Sequence, residues 1–257
     1  LLRVKVNKNF KEFPLMYQLP ESEVAGRKYA LSLHDVKVSG GDTTVEKIRS
    51  VIDRYRVPLA VHLVFDEDPA GSPALMRFLG RKIDEGEIEV VFHGLSHQCP
   101  GHTGRFTSFY HKYQAEYLLD SEKLRENTRE MYEEVTDFTG TNTGICPPCW
   151  IACRNNRNFF KKLNPVFIES LLSMDFRGNT FFSPVISLGS TRGGELVFLK
   201  TGARFMYLVS LLSGKTRLRV AVHECDLELE SSLEFFSGIL KSLDAKGFKP
   251  VLMRDLL

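Results

Sequence analysis

Residues 29–65 read YALSLHDVKVSGGDTTVEKIRSVIDRYRVPLAVHLVF. Tyr29 to Leu33 has the composition of a buried strand, and Val57 to Phe65 is a second apolar run of the same kind. Between them Thr43 or Thr44 can cap a helix running to about Tyr55, with Val45, Ile48, Val51 and Ile52 on one face. A strand, a helix and a strand in this order form a crossover unit, which lays the two strands parallel. The unit recurs. Ser72 to Glu85 predicts an amphipathic helix with Pro73 in its first turn, and Glu87 to Phe92 a third strand. Tyr113 to Phe138 predicts a long charged helix stopped by Gly140, and Thr143 to Cys146 a short strand.

From Ile151 to Gly194, Pro165 and Pro184 break the pattern. Only a helix near Asn156 to Leu163 and an extended run near Phe181 to Ser187 are predicted there. Beyond it the sequence predicts a strand at Leu196 to Lys200 and a helix at Ala203 to Leu212. A strand at Arg217 to Val222, a helix at Ser231 to Ala245 and a closing strand at Pro250 to Met253 follow. Strands separated by helices imply a parallel sheet, and seven or eight such units imply closure into a single α/β barrel over residues 1–257.

Composition narrows the function. With 43% hydrophobic residues in 257, the chain can bury a full core. The formal charge of +2, from 34 Lys and Arg against 32 Asp and Glu, argues against nucleic acid and acidic membrane surfaces as partners. The strongest apolar stretch, Phe205 to Leu212, is too short to span a bilayer. Residues 1–13 alternate Lys with Val and Phe and lack the apolar centre of a secretion signal, although a start at Leu1 leaves room for a segment upstream. Five cysteines, at 99, 146, 149, 153 and 225, are too few and too odd in number for a disulfide scaffold; a cytoplasmic location is expected.

The reactive side chains fall at strand ends. His34-Asp35 follows the first strand, His93 and His97 the third, Cys146-Pro147-Pro148-Cys149-Trp150 the fourth, and His223-Glu224-Cys225-Asp226 the strand ending at Val222. In a parallel barrel these four clusters share the rim where barrel enzymes place their chemistry. His93-Gly-Leu-Ser-His97 could hold one ion if the segment makes a helical turn, with Asp35 as an anionic third ligand. Two His and one carboxylate, with a position open to water, suit a hydrolytic zinc or iron(II) site. Each cluster alone also has a plain reading: surface histidines, a strand-end cap, a packing Trp. His102 and His111 are read as surface histidines.

Ala30-Leu-Ser-Leu-His-Asp-Val36, His93-x-x-x-His97, the Pro-Pro segment and the late His223 together resemble the successive motifs of the polysaccharide deacetylase family, the NodB-homology carbohydrate esterases. The cysteine-bracketed Pro-Pro-x-Trp is similar to that family's predicted-deacetylase branch. The resemblance implies a distorted (β/α)7–8 barrel of NodB-homology type and a metal-dependent hydrolase. Such an enzyme removes an acetyl group from an N-acetylated sugar or related amide, in a glycan or a small molecule. It also implies one divalent ion, zinc first and cobalt, iron(II), nickel or manganese as alternatives. Asp35, His93 and His97 match the metal ligands, His223 the general acid with Asp226 as its partner, and Pro148 the groove-lining segment, while Trp150, the chain's only Trp, could stack on a sugar face or simply pack. His34 stands where the family carries its Asp base, to serve as the catalytic base or as a fourth metal ligand, and Cys146 where many members carry an Arg that holds that Asp. The two departures agree with each other, since a neutral imidazole needs no guanidinium partner. Two alternatives stay open: a barrel that keeps the metal without catalysis, and a thiol oxidoreductase using the redox spacing of Cys146 and Cys149.

Overall fold

The chain is described here from a computed structural model, over residues 26–65, 72–97, 115–188, 196–212 and 216–256. The opening crossover unit forms as the sequence predicts: β1 (Lys28–Lys37), α1 (Gly41–Tyr55) and β2 (Leu59–Val64). Then come α2 (Pro73–Asp84), β3 (Ile88–Phe92), α3 (Glu122–Thr139), β4 (Gly144–Ile145), α4 (Arg154–Lys162) and β5 (Ile168–Glu169). A hairpin of β6 (Ser173–Phe176) and β7 (Asn179–Phe182) precedes β8 (Val185–Ser187), α5 (Leu196–Leu212), β9 (Arg217–His223), α6 (Glu230–Ala245) and β10 (Lys249–Pro250).

The strands lie in the order β7-β6-β5-β4-β3-β2-β1-β9-β8, with β10 beside the start of β1. Every ladder is parallel except those of the β5–β6 and β6–β7 pairs. The ring meets itself at a seam between the β5–β6 corner and the segment entering β8. Ser183 N donates to Leu172 O at 3.0 Å and Val185 N to Leu171 O at 3.1 Å. Strands β1 to β5, β8 and β9 therefore form a distorted barrel, with the β6–β7 hairpin outside the circuit.

Side chains alternate across this wall because successive residues of a strand face opposite sides. Outward, Leu31, Leu33, Val61, Leu63, Val90, Phe92, Val220 and Val222 pack against Ile48, Leu79, Val135 and Leu240 of the helices. Each such side chain, fully buried, contributes roughly 1.5–3 kcal/mol. Inward, the small Ala30, Ala60, Val91 and Ala221 leave room at the barrel axis. Ser32, His34, His62, Arg219 and His223 occupy the same alternating positions.

Several expectations need correction. The strand predicted at 196–200 is the first part of α5, one continuous helix, in which Ala203, Tyr207 and Ser210 share a buried face at helical spacing. The long charged helix starts at Glu122 rather than Tyr113, since Ser121 caps it by accepting from Leu124 N; Glu116–Leu118 is a separate 3-10 turn. The β6–β7 hairpin lies largely where the sequence predicts no strand, only the end of β7 falling within the extended run at 181–187. Its turn places Arg177 and Gly178 at φ 50° and 87°, the two left-handed positions of a tight hairpin turn, with Gly178 N bonded to Asp175 Oδ1. β10 is shorter than predicted, giving way to a 3-10 turn at Met253–Asp255. The N-terminal 25 residues, Cys99, His102 and His111 lie outside the described residues. Among the described residues no helix is long and apolar enough to cross a membrane.

Candidate metal centre

The centre starts from a fault in β1. Strand alternation points Ser32 and His34 into the barrel and would send Asp35 outward. Instead Asp35 takes φ 65°, and the β1–β2 register shifts between Leu33 and Val36. This bulge turns the Asp35 carboxylate toward the rim. His93 leaves β3, and His97 reaches the same point through a tight loop rather than a helical turn, with φ 116° at Gly94 and 55° at His97. Asp35 Oδ1 lies 3.4 Å from His93 Nε2 and 3.2 Å from His97 Nε2.

Proton positions follow from the neighbours. The carbonyl of Cys146 can only accept, so His93 Nδ1 donates to it at 2.7 Å and Nε2 presents a lone pair to Asp35. The Ser32 hydroxyl donates to Val220 O at 3.3 Å, so its oxygen accepts from His34 Nε2 at 3.0 Å. His34 Nδ1 then presents a lone pair 3.4 Å from His93 Nε2. Among the described residues, Asp35 Oδ1 and His97 Nε2 are buried with no hydrogen-bond partner. Such buried acceptors, brought together without bonding one another, are what a cation satisfies. Two donors about 2.0–2.1 Å from one tetrahedral zinc stand about 3.3 Å apart, which the observed separations match. Asp35, His93 and His97 thus fit a divalent ion.

A second group, His34, His62 and Cys146, is also within reach of one ion. It fits poorly. The His34 and His62 rings stack 3.8 Å apart at 18°, so their in-plane lone pairs run side by side and cannot meet at one ion. Beneath this stack lies a buried charge network: Glu169 accepts from His62 Nε2 at 2.7 Å and from Arg219 Nη1 at 2.7 Å. Arg219, fully buried, also donates to the carbonyls of Ser170, Ser173 and Ser183 across the seam. Burial opposes the Glu169 charge, but His62 and Arg219 outweigh it and hold its pKa down to about 2.

The site histidines divide electrostatically. Burial pushes His34 far down, with His62 and His93 adding to the effect. Burial also lowers His93, and it lowers His97 to about 4 with help from His93. His223 goes the other way: burial opposes its charge, but Asp226 and Asp35 outweigh it. Asp226 Oδ2 accepts from His223 N at 2.9 Å and lies 3.6 Å from Nδ1, fixing the ring at the end of β9. Asp35 stays well below the ordinary carboxylate range despite burial, through its contact with His93 and the charges of His223 and His97.

Pro148 and Trp150 form a wall. Trp150 is 9% exposed, with its ring 5.1 Å from His34 and 5.9 Å from His223, and its Nε1 is buried without a partner among the described residues. Asp35, His97, Cys149 and Trp150 are four of the seven non-glycine residues at positive φ among the described residues. Backbone strain of this kind concentrates at functional sites. The Cys146 and Cys149 thiols are raised by burial, Cys149 to about 12. The segment enters a 3-10 turn rather than opening a helix, so nothing there favours a reactive thiolate.

Sequence reading missed His62, Glu169, Arg219 and Glu116. A signal existed for two of them: His62 and Arg219 interrupt apolar strands at inward positions, where a polar side chain requires a partner.

No family model matches the sequence, and no curated protein matches it. Solved structures do. A CE4 family pseudoenzyme from Bacillus anthracis, as wild type and as a mutant with restored enzymatic activity, aligns over 90% of this chain with a TM-score of 0.52 at 12% identity. The chitin deacetylase of Colletotrichum lindemuthianum aligns over 90% of this chain and 86% of its own, with a TM-score of 0.51 at 10% identity. The fold is that of the CE4 polysaccharide deacetylases. The chain spans about two thirds of the Bacillus protein's length, 67% of the mutant chain and 65% of the wild type. Within this CE4 fold the candidate centre sits at the ends of β1, β3 and β9, where the strands deliver Asp35, His93 and His223.

Proposed function

We propose that this chain is a metal-dependent hydrolase that removes an acyl group, acetyl in the simplest case, from an N-acylated sugar or a related amide. The observation that carries the reading is the convergence of Asp35 Oδ1 with His93 Nε2 and His97 Nε2 at 3.4 and 3.2 Å, two of these atoms being buried without hydrogen bonds. A divalent ion held there, zinc first, supplies Lewis acidity that lowers the pKa of water and polarises the acyl carbonyl. His34 is the general base. Its Nδ1 is the acceptor turned toward the centre because Ser32 occupies Nε2, and its lowered pKa keeps the ring neutral. His223, biased toward its cationic form and fixed by Asp226, donates the proton to the leaving amine. Opposite shifts in this facing pair support the two roles. Pro148 and Trp150 border the place where the substrate would sit, beside His34 and His223.

The test has two steps. Purified protein should contain close to one divalent ion per chain, and His93→Ala or His97→Ala should remove it. A screen of N-acetylated sugars with zinc, cobalt or iron(II) should then show acetate release. If both variants keep their full metal content, the reading is wrong.

A second reading, a barrel that binds metal without turnover, is favoured by one observation: His34 is 1% exposed and packed between His62 and Trp150. The Bacillus neighbour is a pseudoenzyme whose activity a mutant restores. If wild type releases no acetate and His34→Asp does, this second reading stands. If His34→Ala keeps the metal while losing activity, the base assignment stands.

A further inference from the structure

We infer that Glu116 is a positioning residue of the metal centre, holding the His93–His97 loop in the shape that presents His97 to the ion. The inference rests on the proposed function, in which Asp35, His93 and His97 hold a divalent cation. Glu116 is 3% exposed, and its carboxylate bonds to Leu95 and Ser96 of the loop rather than to a ligand side chain. Its Oε1 accepts from Leu95 N at 2.7 Å, and its Oε2 accepts from Ser96 N at 3.1 Å and Ser96 Oγ at 3.0 Å. Two successive backbone N–H groups and a hydroxyl of the loop thus close on one carboxylate, just before His97 takes its left-handed φ of 55°.

The clamp is built from both sides. Glu116 sits in a short 3-10 turn whose neighbour Tyr117 is fully buried, with its hydroxyl 2.9 Å from Thr128 Oγ1 of α3. Asn156 of α4 donates to Tyr117 O and Leu119 O, both at 2.8 Å, and Cys153 N donates to Tyr117 O at 2.9 Å. At the other end of the loop, His93 N donates to Leu63 O at 2.8 Å and Gly94 O accepts from Phe65 N at 3.0 Å. Gly94 completes the fit. At φ 116°, a Cβ there would run into Glu116 Oε1 and the Pro148 ring, so a side chain would push the carboxylate away.

Without the carboxylate, the Leu95 and Ser96 N–H groups lose their acceptor and the loop gains conformations in which His97 faces elsewhere. Those conformations must be given up when an ion binds, which weakens affinity without removing a ligand. Groups that orient ligands from outside the coordination shell typically carry 10–100-fold in metal affinity.

The experiment measures zinc and cobalt(II) dissociation constants of metal-free protein by competition with a chromophoric chelator, for wild type, Glu116→Gln and Glu116→Ala. Glu116→Gln keeps the size and one acceptor, and should bind about tenfold more weakly; Glu116→Ala should bind up to about 100-fold more weakly. The cobalt(II) absorption spectrum at saturation should match wild type, because the ligands are unchanged. Affinities within about threefold of wild type, against the 10–100-fold expected, overturn the inference even if the metal-free Tm falls, since Glu116 would then serve only the scaffold. Should Glu116→Ala not fold, Glu116→Gln decides by the same threshold. A wild type that binds neither ion overturns the proposed function and this inference with it. Tight wild-type binding with equally tight variants overturns the inference alone.

Discussion

Arg219→Met puts the buried charge network to its most direct trial. The guanidinium is fully buried and joins Glu169 to the carbonyls of Ser170, Ser173 and Ser183 at the barrel seam. Methionine fills a similar volume and donates nothing, so Glu169 is left as a buried carboxylate with His62 as its remaining partner. Breaking a buried pair in this way costs about 3–5 kcal/mol, much more than an exposed pair of equal length. At roughly 2–4 °C per kcal/mol for a chain of this size, Tm should fall by about 6–20 °C. Urea unfolding followed by circular dichroism measures the loss directly.

The pH dependence supplies an internal check. Glu169 has a folded pKa of about 2 against an ordinary 4.5. A depressed carboxylate contributes stability that is present above 4.5 and is lost as pH falls toward about 2. With Arg219 gone its folded pKa rises, so the variant should lose less stability than wild type between pH 5 and pH 3, on the same linkage argument. Adding Glu169→Gln should recover part of the deficit, because no unpaired charge then stays buried. A loss below about 1 kcal/mol, the scale of an exposed ion pair, with a wild-type acid response would refute the reasoning.

Other outcomes follow from the site. Stripping the ion with a chelator should lower Tm: an ion at 100 times its Kd stabilises by about 2.7 kcal/mol, and in His97→Ala the difference between treated and untreated protein should vanish. Replacing Cys146 and Cys149 together by Ala should leave hydrolytic activity within about tenfold, which is ~1.4 kcal/mol in barrier; a larger loss together with a measurable dithiol–disulfide couple would revive redox chemistry. Gly94→Ala should destabilise by about 1–3 kcal/mol and weaken metal uptake, as read by denaturation and chelator competition, since its φ of 116° and the packing of Glu116 and Pro148 exclude a Cβ.

Much of the architecture was legible because strand and helix periods mark which face is buried. The run Leu59–Val64 and the spacing of Val45, Ile48 and Val51 need no partner to be recognised. The convergence of Asp35, His93 and His97 was legible for a related reason: parallel strands carry whatever follows them to one rim, so the three could be grouped without knowing the loop between the histidines. What stayed hidden depends on contacts across the ring. Arg219, Glu169 and His62 come from three strands, and no periodicity says that they meet. The bulge at Asp35 decides which of His34 and Asp35 faces the rim, and bulges follow from ladder register rather than composition. α5 was divided because Leu196-Val-Phe-Leu has strand-like composition, while the buried spacing of Ala203, Tyr207 and Ser210 belongs to a helix extending back through it.

The position of β1 between β2 and β9 has a kinetic consequence. Ser32 of β1 bonds to Val220 of β9, a partner 188 residues further along the chain. His34 and His223 are register neighbours in that same ladder. β1 therefore keeps one edge unpaired until β9 has been synthesised, and contacts of such long separation form slowly. Ser32 cannot set the His34 tautomer before Val220 arrives, so a chain truncated ahead of Arg217 leaves an open sheet edge and an unfinished site, however well its first crossover units have folded.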